Sequence, residues 1–208
     1  MPLDLWLAFV VASTVLCIIP GPTVLLVVSY ALSQGRRVAI ASAAGVALGD
    51  LVAMTASLVG LGALILTSAT LFTVLKWIGA AYLIYLGVKL FVSAAEATPG
   101  TPEAQSRARP TGVFAHTAAV TALNPKSIAF FIAFVPQFMR PEAPLLPQFV
   151  ILIATFVAIG FLNAFVYALL ADRMRTAIAR PTVLRGLTRL GGATLVAMGV
   201  ATAALRRA

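Results

Sequence analysis

Asp50 ends the stretch AGVALGD and Lys126 sits within TALNPKSIAFF, each inside a long apolar run. An ionisable side chain at the centre of a bilayer costs roughly 2.5–3.5 kcal/mol or more, so it usually faces a partner or a pathway. A carboxylate in that position can take an ammonium group or a proton. A lysine, or a backbone amide left free, can hold a carboxylate. The two residues therefore offer one partner for each end of a zwitterion. A plain ion pair between them is the structural alternative, and Lys126 could also extend its stem toward the headgroups.

Helix breakers accompany these charges. IIPGPTVLL places Pro20, Gly21 and Pro22 inside the first apolar run, and Asn124, Pro125 and Lys126 interrupt the fourth. Proline removes a backbone donor and clashes with the preceding turn, while glycine relaxes the chain. Main-chain groups freed at mid-membrane are tolerated only against protein or a water-filled cavity. One such break reads as a kink. Two at matching places read as a binding site built from Pro20, Gly21, Pro22, Asn124, Pro125 and Lys126, with Asp50 taking either an ammonium group or, as a proton-coupling residue, a proton. Asn163 is a further candidate, as a substrate donor or a bridge between helices. Tyr82 and Tyr85 read as packing or interface residues, His116 as solvated, and Gly45 with Gly49 as a close-packing pair.

Composition sets the frame for these residues. The chain has 208 residues, of which 61% are hydrophobic and 10% charged, and a mean hydropathy of +1.03. A soluble domain carries about 25% charged residues. The expected class is therefore an all-α integral membrane protein, since continuous apolar runs do not suit a β-barrel. The net charge of +9 reads as topology signals between spans rather than as a nucleic-acid surface. The single cysteine, Cys17, leaves no disulfide, redox pair or metal cluster to build.

Apolar runs at about 5–33, 39–66, 70–94, 113–138, 146–171 and 187–205 predict six transmembrane helices. Arg36, Arg37, Lys89, Arg107, Arg109, Arg173, Arg175, Arg180, Arg185 and Arg189 fall on one side. Lys76, Arg140, Arg206 and Arg207 fall on the other. That asymmetry places the first side in the cytoplasm and both termini outside. The polar segment 96–112 then reads as a cytoplasmic linker, and residues 66–70 as a tight hairpin.

The linker separates two similar halves, 1–95 and 113–208. LKWIGAAYLIYLGV (75–88) aligns without gaps on LTRLGGATLVAMGV (187–200), and Pro22, Gln34 and Arg37 are spaced as Pro125, Gln137 and Arg140 are. Asp50 falls near the place that Asn163 holds in the second half. Three spans per half require opposite orientations, which predicts two inverted-topology three-helix repeats, with the substrate site between them at interrupted helices.

In this order, IIPGPTVLLV, SQGRRVAIASAAGVALGD, LKWIGAAYLIYLGVKL, TALNPKSIAFFIAFVPQF and GGATLVAMGV resemble the LysE/RhtB family of bacterial amino-acid exporters over nearly the whole chain. The resemblance implies efflux of amino acids from the cytoplasm across the inner membrane, driven by protons in at least some members. It also implies that the two tripeptides belong to the functional centre. No further acid accompanies Asp50 within the spans, which favours a neutral cargo such as threonine, homoserine or leucine. The alternative is export of a cation or metal ion. A metal wants several carboxylates, thiolates or imidazoles, and the spans offer Asp50, Cys17 and a peripheral His116. An enzyme is not expected: paired cysteines, a nucleophile–base set and a GxxxxGK[ST] loop are all missing from the sequence. No cofactor is expected either. The partners are an amino acid, protons and lipid, with homo-oligomerisation left open.

Overall fold

Proline decides where several of these helices begin. It lacks the N–H that a first turn leaves unpaired, and its φ is already helical. In the computed structural model, which describes residues 1–19, 21–34, 36–67, 69–93, 109–140, 142–178 and 181–204, four helices start on a proline. The elements are α1 (Leu3–Ile18), α2 (Pro22–Gln34), α3 (Arg36–Thr67), α4 (Ala69–Ser93), α5 (Pro110–Ala122), α6 (Pro125–Ala133), a 3-10 turn (Val135–Phe138), α7 (Leu145–Ile178) and α8 (Pro181–Ala204). No strand occurs among the described residues.

The six apolar runs of the sequence fall on α1 with α2, α3, α4, α5 with α6, α7 and α8. Within α3, α4 and α7, segments Arg37–Gly62, Thr73–Ser93 and Leu145–Ala171 are long and apolar enough to cross a bilayer. The pair α1 and α2, bent by 56°, makes a fourth if taken as one span. Most of the expected linker, 96–108, and Ser68 of the expected hairpin lie outside the described residues. The linker's last residues do not extend it, because α5 already begins at Pro110.

Both breaks follow from local chemistry. A residue before proline is driven to extended backbone. Ile19 precedes Pro20 and is extended at φ −66°, ψ 118°, so α1 stops there. Asn124 precedes Pro125 and is likewise extended, at φ −69°, ψ 111°. Its side chain accepts the Lys126 amide at 3.0 Å and so caps α6. α1 and α2 are thus separate helices, and so are α5 and α6.

Small residues bring the helices together. A Cβ at Gly87 would meet Gly192 and Val196, and a Cβ at Gly199 would meet Ala80 and Ile84. Under the alignment of segments 75–88 and 187–200, Gly87 corresponds to Gly199, Ala80 to Gly192 and Ile84 to Val196. The α4–α8 contacts are therefore reciprocal. In the same way Gly45 and Gly49 bring α3 against the backbone of α5 at Phe114 and Ala118. Away from these seams α4 turns an apolar face outward, with Trp77, Ile78, Tyr85 and Val92 exposed. Tyr82 and Tyr85 stand on that face. On the other side of the breaks from Tyr30 and His116, Phe9, Phe130, Phe131, Phe134, Phe138 and Phe156 form a continuous aromatic cluster.

Candidate functional site

The ends of α1, α2, α5 and α6 converge on one cavity, which Asp50 of α3 and Asn163 of α7 also line. Its volume is about 40 Å³, room for roughly three waters at ~10–15 Å³ each. Leu16, Cys17, Thr23, Val24, Asn124, Lys126, Ser127, Phe156 and Gly160 contribute to its walls. The sequence-derived candidates Asp50, Asn124, Lys126 and Asn163 thus meet at one place. Gly21, Pro22 and Pro125 stand back from the walls and shape the chain beside it. Pro20 lies outside the described residues.

Asp50 is 4% exposed. Among the described residues its carboxylate makes no hydrogen bond and no contact ion pair, and the Lys126 ammonium acts on it only through space. The carboxylate lies against α7 at Gly160, where an added Cβ would collide with Oδ2. A glycine at that position is what leaves room for the acid. A buried carboxylate without a partner is costly, so an unpaired acid facing a cavity is a place for a proton or an external cation.

Lys126 is occupied elsewhere. Its Nζ donates to the carbonyl oxygens of Leu16 and Ile19, at 3.1 Å each. Asn163 Nδ2 donates to the Cys17 carbonyl at 2.9 Å, and the Tyr167 hydroxyl to the Ile18 carbonyl at 2.8 Å. The carbonyls of four successive residues, left without helical partners where α1 stops, are therefore capped by α6 and α7. Asn163 bridges helices here, the second of the two roles open to it. Lys126 neither extends toward the headgroups nor pairs with an acid.

The remaining polar groups join the halves. Asn124 Nδ2 donates to Thr23 Oγ1 at 3.1 Å, and Thr121 lies 3.5 Å from the same oxygen. Ser42 and Thr117 share a hydrogen bond of 3.0 Å, and Tyr30 and His116 one of 2.8 Å. These pairs form a polar seam from the cavity to the start of α5. His116, expected to be simply solvated, is exposed but holds the buried Tyr30. On the opposite side of the cavity the aromatic cluster replaces the polar pairs.

Sequence reasoning missed Thr23, Ser127, Gly160 and Tyr167. Thr23 and Ser127 immediately follow the recognised tripeptides, so the helix-start positions carried a signal. Gly160 and Tyr167 lie one turn either side of Asn163 and carried none. Among the described residues, no group of three or more His, Cys, Asp or Glu side chains could hold a metal ion.

A family model described as LysE type translocator matches residues 14–205. The chain is 34% identical over 209 residues to the homoserine/homoserine lactone efflux protein of Salmonella typhimurium, covering 100% of both. It is 32% identical over 201 residues to an uncharacterized membrane protein of Vibrio cholerae, covering 96% of this chain and 97% of that one. Similarity to the leucine efflux protein of Klebsiella pneumoniae is 29% over 138 residues, 66% of this chain and 65% of the relative. No solved structure matches.

Proposed function

The chain belongs to the LysE-type translocator family, a family of membrane transporters rather than enzymes, and from that premise we propose that it exports neutral amino acids in exchange for protons. Relatives named for homoserine, homoserine lactone and leucine efflux support a neutral cargo. The observation that carries the reading is Asp50: a buried, unpaired carboxylate in a cavity where two broken helices meet.

In this reading Asp50 holds either a proton or the cargo's ammonium group, never both. A proton taken from outside is released to the cytoplasm as cargo binds, and cargo released outside frees the carboxylate for the next proton. The cargo carboxylate lies toward the starts of α2 and α6, whose dipoles favour an anion. The Ser127 hydroxyl and the remaining N–H of Lys126 face the same space. Asn124 and Asn163 line the site and hold its walls, while Pro20, Gly21, Pro22 and Pro125 keep the helices broken. An amino acid is larger than the present cavity, so loading requires its walls, the polar seam among them, to move apart.

We further propose that residues 1–95 and 113–208 are inverted three-helix repeats of a six-span protein of the bacterial inner membrane. The reciprocal Gly87 and Gly199 contacts support this, as do breaks at Pro22 and Pro125. The polar 96–112 linker, with Arg107 and Arg109, would then be cytoplasmic and both termini outside. Metal export has less support, since no ligand cluster appears among the described residues.

The test is a panel of amino acids and toxic analogues applied to cells overproducing the chain. Lower intracellular accumulation of homoserine, threonine or leucine is expected. Resistance to a metal salt, with no change for any amino acid, would overturn the reading.

A further inference from the structure

Lys126 and Asp50 share a cavity, yet the ammonium group is bound to carbonyls rather than to the acid. The carboxyl end of a helix carries partial negative charge. In transporters with interrupted helices, such ends and unwound carbonyls coordinate the coupling cation. Here Leu16 O and Ile19 O converge on one nitrogen at 3.1 Å each. The two carbonyls between them are taken by Asn163 and Tyr167. Gly21 completes the enclosure, because a Cβ there would come within 3.3 Å of Nζ.

We propose that the carbonyl oxygens of Leu16 and Ile19 form a binding site for a primary ammonium group, with Lys126 as its tethered occupant in place of a free metal cation. The site satisfies the broken end of α1 and leaves Asp50 open. Because its positive charge is covalently attached, that charge cannot leave with the cargo, and transport requires no sodium. This consequence for transport rests on the export reading; the ammonium site does not.

The sole cysteine provides a readout that does not depend on export. Cys17 lines the cavity, and its own carbonyl lies between the two cage oxygens. Purified protein in liposomes is labelled with N-ethylmaleimide, in the native form and as Lys126→Ala and Lys126→Arg. Losing two charge-assisted bonds should let the end of α1 move, so Cys17 in Lys126→Ala should label about tenfold faster than native once every rate is corrected for thiolate fraction by a pH series. Lys126→Arg, which can still donate to both oxygens, should stay within about twofold of native. Methylammonium added to Lys126→Ala should restore slow labelling, and tetramethylammonium, which donates no hydrogen bond, should not.

Unchanged labelling in Lys126→Ala would overturn the site. So would restoration by sodium or tetramethylammonium as effective as that by methylammonium. Restored slow labelling of Lys126→Ala, found together with native protein that exports no amino acid, would uphold the site and refute the export reading instead. In native protein, amino-acid efflux that needs sodium would refute the transport consequence.

Discussion

Asp50 and Lys126 face one cavity without pairing, because the lysine ammonium caps Leu16 and Ile19 at the broken end of α1. The acid is thereby kept available. Its carboxylate lies in the space that Gly160 leaves on α7.

Replacing Asp50 by Asn should separate stability from function. The substitution removes a buried charge that makes no hydrogen bond among the described residues, so the one native interaction lost with it is the through-space attraction to the Lys126 ammonium. The thermal midpoint in detergent should be unchanged or higher, while proton-driven export falls at least about tenfold. A clear drop in the midpoint would mean that the carboxylate is structural.

Gly160→Ala should act on Asp50 from the opposite helix. Its methyl group would displace the carboxylate, at a cost of about 1–3 kcal/mol as for other overpacked sites. Export should fall without any change to an ionisable residue. Gly60, where a Cβ would meet nothing within 4 Å, supplies the control: Gly60→Ala should leave both export and thermal stability near native.

The α4–α8 contact gives a paired expectation. Gly87→Val and Gly199→Val should each destabilise by about 1–3 kcal/mol or more in thermal or denaturant titrations, since each drives a branched side chain into the facing helix. The two losses should be of similar size because the contacts are reciprocal. A loss at only one of them would break the equivalence.

The polar seam should be weak, as a gate that opens must be. Membrane hydrogen bonds average about 0.6 kcal/mol in double-mutant cycles. A Tyr30→Phe and His116→Ala cycle should give a coupling near that value, and a Ser42→Ala and Thr117→Val cycle likewise. Coupling of several kcal/mol at either rung would make the seam a permanent strut.

Prolines made the helix breaks legible in the sequence, because their effect on φ and on the preceding residue is local. Asp50 and Lys126 were legible because charge in an apolar run is expensive wherever it lies. The partner of Lys126 was not, since the acceptors are backbone carbonyls that every residue carries. Tyr167 and Gly160 have value only through what faces them across helices, and His116 only through a tyrosine 86 residues away. Periodicity said nothing about such contacts. The start of α5 at Pro110 was open to the same proline reasoning, but the polar composition of 96–112 outweighed it.

The most direct measurement is amino-acid exchange in liposomes holding the purified protein, with homoserine inside and an outward-facing or inward-facing pH gradient imposed. Homoserine should leave faster when the proton gradient runs into the liposome, and the Asp50→Asn form should show neither that acceleration nor proton uptake. Full gradient-driven efflux by Asp50→Asn would contradict an exchange centred on Asp50.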